Sequence, residues 1–92
     1  MKSVIQKSKE CIICGRTQGL ELHHVFHGTA NRKKADEDGM TVYLCHYHHT
    51  GSNYAVHLNA NIDNFIKEHA QEIYERTHTR EEFIKRYGKS YL

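Results

Sequence analysis

The spacing of apolar and polar residues changes character along this chain, and each change predicts an element. Leu20 to Phe26 alternates, with Leu20 and Leu22 on one face and Glu21, His23 and Val25 on the other, as a short strand does. Met40-Thr41-Val42-Tyr43-Leu44 is β-branched and aromatic and predicts a second strand ending at Cys45. Residues 46 to about 52 predict the start of a helix, with Gly51 limiting its length. From Ile62 onward, Ile62, Phe65, Ile66, Ala70, Ile73 and Tyr74 recur at helical spacing and form one apolar stripe, with Asn59 or Asn61 as the cap. Thr79 with Glu82 three residues later is a capping box for a last helix. Phe83, Ile84 and Tyr87 are placed on its buried side, and Gly88 ends it. Gly28 to Gly39 shows no apolar period and is expected to be a polar loop. Residues 11 to 19 read as a knuckle, in which Gly15 allows a tight turn after Cys14. The expected class is α+β, two strands and a short helix followed by a helical tail.

Composition narrows this picture. A chain of 92 residues forms one domain with a thin core, and domains of this size often need a metal or disulfides to hold together. Three cysteines, two of them in a C-x-x-C, argue against a disulfide framework and for zinc or redox use in a reducing compartment. No apolar run reaches membrane-spanning length and residues 1–7 are too polar for a signal peptide, so a cytoplasmic protein without membrane association is expected. The net charge of +2 is weakly basic, but the charges cluster: Lys2, Lys7, Lys9 and Arg16 near the start, Arg32-Lys33-Lys34 in the middle, five more between Arg76 and Lys89. Asp36, Glu37 and Asp38 offset the middle run. Nine histidines in so short a chain point to metal binding or acid–base work. The organisation expected is a loosely held basic arm over 1–10, a metal-framed core over 11–58, and a helical extension over 59–92 that packs on it.

The closed site follows from spacing. Structural zinc takes four ligands, commonly thiolates with an imidazole. Cys11 and Cys14 supply two from one turn, and Cys45 and His48 supply two more from a strand end and the first turn of a helix. His46 is the competing fourth ligand, with poorer reach. Such a zinc ion would pin the knuckle to the middle of the chain and contribute much of the folding free energy. His57 lies before the long helix and is read either as a residue that folds back as a third ligand or phosphate contact, or as a packing histidine. Arg32, Lys33 and Lys34, between the strands, are candidate phosphate contacts, and Arg16 is a weaker one.

Cys11-x-x-Cys14, Leu22-His23-His24-Val25 and Leu44-Cys45-x-x-His48-His49, taken together, resemble the HNH endonuclease family in its zinc-clipped subgroup, over roughly residues 11 to 53. The longer stretch is similar to small HNH-type proteins carried by phages and prophages. The resemblance implies a ββα-metal (His-Me finger) domain that hydrolyses DNA phosphodiesters, in phage recombination or DNA processing within the host cytoplasm. It places His23 and His49 as ligands of a catalytic divalent metal, His24 as the general base, and Asn53 as a supporting ligand. The metal implied is Mg²⁺ or Mn²⁺. Two imidazole ligands also suit Ni²⁺ or Co²⁺. The family's middle Asn falls near Met40, whose thioether cannot make that residue's hydrogen bonds, so bracing of the loop is expected from elsewhere.

The competing readings are a non-catalytic zinc module that binds DNA or protein, and a thiol redox protein using Cys11 and Cys14. The redox reading lacks the usual βαβ context. The apolar stripe of the long helix is read as core, with a homodimer interface as its other use.

Overall fold

The computed structural model describes residues 3–92. Strand β1 (Leu20–His24) pairs antiparallel with β2 (Thr41–Cys45) in a two-stranded sheet, and helix α1 (Thr29–Asp38) lies between them in the chain. A single-turn helix α2 (His46–His49) follows β2 directly, and α3 (Ala60–Tyr74) and α4 (Arg80–Tyr87) complete the α+β fold. The register sets His23 opposite Val42 and His24 opposite Thr41. Alternation therefore sends these neighbouring histidines to different sides of the strand. Val42 and Leu44 are buried on the inner face, while Leu22 on the outer face is half-exposed. Among the described residues no helix is long and apolar enough to cross a membrane.

Helix α1 corrects the expectation of a polar loop over 28–39. Its residues are mostly good helix formers, but only Ala35 is buried, so there is no apolar stripe to read. Polar contacts to α4 anchor it instead. Asp38 accepts from the Tyr87 hydroxyl (2.6 Å) and pairs with Arg86, and the Lys34 ammonium donates to the Arg86 carbonyl (2.9 Å). Gly39 ends the helix at φ 71°, in the left-handed region that a side chain disfavours. The chain then turns directly into Met40 and β2.

The described part of the amino-terminal segment is held rather than loose. Val4 N–H donates to the Gly39 carbonyl (2.9 Å), Ser3 Oγ to the Thr41 carbonyl, and the Gln6 side-chain oxygen accepts from Tyr43 N–H (2.6 Å). These bonds occupy backbone groups along β2 that would otherwise form an open sheet edge.

Both predicted caps are present. Asn59 accepts from the N–H groups of Asn61 and Ile62, and Thr79 and Glu82 form the reciprocal box. Ile66, Ala70 and Tyr74 of α3 and Phe83 and Tyr87 of α4 close over Val25, Phe26, Met40, Val42 and Leu44. Phe26 is the centre of the aromatic packing, with ring centroids 5.2 Å from Phe83 and 4.5 Å from Tyr87. Two stripe assignments are corrected: Phe65 and Ile84 are exposed. The core contact is narrower than the apolar pattern, and each lies to one side of it.

Helix α2 is shorter than predicted, ending at His49 with Thr50 as its C-cap. The N–H groups of Thr50 and Gly51 both donate to the His46 carbonyl. A Cβ at Gly51 would lie 2.9 Å from the His46 carbonyl oxygen, a backbone atom that cannot swing aside as the exposed His46 ring can, so this sharp exit from the helix favours glycine.

Candidate functional site

Two clusters of ligating side chains lie at the two ends of the short stretch from Cys45 to His57. The first is Cys11, Cys14, Cys45 and His48, whose ligand atoms all lie within 4.8 Å of one another. A tetrahedral zinc with bonds of about 2.3 Å to sulfur and about 2.0 Å to nitrogen sets sulfurs about 3.8 Å apart and sulfur and nitrogen about 3.6 Å apart. Cys14 Sγ lies 3.7 Å from Cys45 Sγ, and His48 Nδ1 lies 3.8 Å from Cys11 Sγ and 3.3 Å from Cys45 Sγ. All three cysteines are free thiols. Burial raises the Cys11 thiol, but backbone N–H donors at Cys45, Cys14 and Ile13 outweigh it and hold the group below its ordinary value, which favours the thiolate. Burial and the neighbouring thiols push Cys45 up. The cluster fits a zinc ion. His46, the competing ligand, is instead exposed beside Glu21.

The second cluster is His23, His49 and His57, again with ligand atoms within 4.8 Å. His23 is on β1 and His49 closes α2. His57 is brought back by the loop before α3, where Val56 N–H donates to the His48 carbonyl (2.8 Å) and His57 N–H to that of His49 (3.4 Å). The ring centroids of His23, His49 and His57 lie 4.8 to 5.3 Å apart. His49 Nε2 and His57 Nε2 are 3.1 Å apart, a separation suited to two imidazoles sharing one ion with bonds of about 2.1 Å. His23 Nε2 is buried without any hydrogen-bond partner. Such an orphan is costly unless something accepts its lone pair. Burial, with the nearby His49, His57, His27 and His24 adding to it, pushes His23 down to about 3, and burial also lowers His57. His23 is thus a neutral imidazole at physiological pH, the form that binds a metal.

These three histidines line an open cleft of about 230 Å³ together with Leu22, His24, His27 and Arg32. His24 is mostly buried, and its Nε2 lies 3.3 Å from Asp36 Oδ1 on α1. Of the candidate phosphate contacts, Arg32 lines the cleft and Lys33 an adjoining recess with His24 and Asp36. Lys34 is turned away to the Arg86 carbonyl, and Arg16 stays in the knuckle. Asn53 is also outside the cleft: it is exposed, and its carbonyl accepts from the Asn59 side chain.

Sequence reasoning missed Glu21 and Asp36. Glu21 Oε1 accepts from His49 Nδ1 at 2.7 Å, which lowers the carboxyl and leaves His49 Nε2 as the free ligand atom. Alternation put Glu21 on the face of His23, the only signal available beforehand. Glu21→Ala is expected to weaken Mn²⁺ binding in the cleft about ten- to a hundredfold while zinc content is unchanged, as read by metal titration of the zinc-loaded protein. Comparison of the chain with protein-family models, with curated proteins and with solved structures gives no match.

Proposed function

We propose that this protein is a metal-dependent DNA endonuclease of the HNH type, built on a ββα-metal unit formed by β1, β2 and α2. The observation that carries the reading is a three-histidine cluster with an orphaned nitrogen, open to a cleft that also presents His24, and separate from the Cys₃His site. A structural zinc site alone has no use for this second group of histidines.

His24 is the base. Its Nε2 faces Asp36, so Nδ1 is the nitrogen that takes the proton from the attacking water, and the carboxylate stabilises the imidazolium that forms. The water oxygen attacks phosphorus, the bond to the 3′ oxygen breaks, the leaving oxygen takes a proton from solvent water, and the products carry 5′-phosphate and 3′-hydroxyl ends. A divalent ion bound by His23, His49 and His57 would supply charge stabilisation for the phosphoryl oxygens and the leaving oxygen. Arg32 and Lys33 hold the flanking phosphates. Asp36 also answers the question posed by Met40. The thioether is buried in the core, and the Met40 carbonyl accepts from Val25 N–H (3.1 Å), so the base is braced by a helix carboxylate and by strand pairing.

Three imidazoles without a carboxylate ligand favour transition metals. Purified zinc-loaded protein is expected to nick supercoiled plasmid with Mn²⁺, Ni²⁺ or Co²⁺ and more slowly with Mg²⁺. Four-way-junction and linear DNA, tested in parallel, define the preferred substrate. No cleavage with any of these ions, with fold and zinc intact, would leave the non-catalytic zinc-binding module as the function.

A further inference from the structure

We propose a second DNA-binding element, resting on the nuclease reading: the groove between the amino-terminal segment and the outer sheet face holds the sugar–phosphate backbone of the strand on one side of the cut. This groove, about 480 Å³, is lined by Lys7, Ser8 and Lys9 from the segment and by Leu22, Thr41 and Tyr43 from the sheet. No acidic residue lines it, and among the described residues neither lysine has a carboxylate within 4.0 Å. Lys9 Nζ sits 5.4 Å from the Tyr43 ring centroid, which holds the charge over the groove.

Leu22 lines both this groove and the histidine cleft, and His24 and Arg32 are shared by the cleft and the recess of Lys33. The three concavities form one track with cationic ends: Lys7 and Lys9 at one, Arg32 and Lys33 at the other, and the histidines between. A polyanionic strand laid along it is gripped on both sides of the scissile phosphate without base readout. The half-exposed Leu22 at the junction offers an apolar contact to a sugar or base.

The test measures binding of a short fluorescent DNA duplex of random sequence by the full, zinc-loaded chain carrying His24→Ala, with and without Lys7→Gln and Lys9→Gln. Each phosphate contact contributes about 0.9 to the slope of log K against log salt. The double variant is expected to lower the slope by about 1.8 and to weaken binding about tenfold at moderate salt, equally across sequences. A Lys85→Gln, Lys89→Gln control, at positions that line neither the groove, the cleft nor the recess, is expected to bind like the parent. Nicking is measured in parallel with His24 restored, where the double variant requires more DNA for half-maximal rate. An unchanged slope and affinity, or no binding by the parent, overturns the groove. Lysine-dependent binding without any cleavage by the wild-type chain leaves the groove standing and removes the nuclease reading instead.

Discussion

Cys45→Ser is expected to unfold the domain rather than only remove one ligand. Cys45 is buried where β2 ends and α2 begins, and places its sulfur against both Cys14 and His48. Losing it separates the amino-terminal knuckle from the sheet and releases the one turn that carries His48 and His49. Binding of structural zinc is worth about 10–16 kcal/mol in small zinc-dependent domains. The whole stability of a domain is only about 5–15 kcal/mol. The variant should therefore purify without zinc and lack a cooperative thermal transition by circular dichroism, and chelation of wild-type protein should give the same result. A Cys45→Ser chain that melts cooperatively within a few degrees of wild type would show that the sheet and helices hold without the staple.

His24→Ala is expected to lower the nicking rate about 10²- to 10⁴-fold, the range for removal of a positioned general base. Zinc content should stay near wild type, because His24 lies outside the Cys₃His cluster and the one hydrogen bond of its ring, among the described residues, is to exposed Asp36. Asp36→Ala should fall between the two, since the imidazole remains but loses its orienting carboxylate. Metal binding by His23, His49 and His57 should survive both changes, which separates loss of the base from loss of the ion. A His24→Ala protein that nicks at the wild-type rate would reassign the base to another group in the cleft.

The elements legible beforehand were those that announce themselves by period or by ligand spacing. The two strands, the caps at Asn59 and Thr79 and the Cys₃His set were visible because they depend on residues close in sequence or on a fixed ligand geometry. Helix α1 was hidden because it docks through Asp38, Lys34 and Asn31 rather than through an apolar face. The site was half legible. His23, His24 and His49 followed from a family resemblance, and the fold-back of His57 was one of two readings left open. Asp36 had no signal as a functional group, and Glu21 only its place on the same strand face as His23. Their roles arise only when β1 faces α2 and when α1 stands beside the end of β1, relations that tertiary packing creates. Lys34 failed for the same reason: a run of three cations looks uniform in sequence, yet on a helix its members point to different neighbours.

The two-centre arrangement is the claim on which the rest depends. Diffraction from Mn²⁺-soaked crystals of zinc-loaded protein, with anomalous data at the manganese and zinc edges, tests it most directly. Zinc is expected on Cys11, Cys14, Cys45 and His48, and a separate manganese on the Nε2 atoms of His23, His49 and His57. Manganese absent from the three histidines while zinc fills the cysteine site would contradict it.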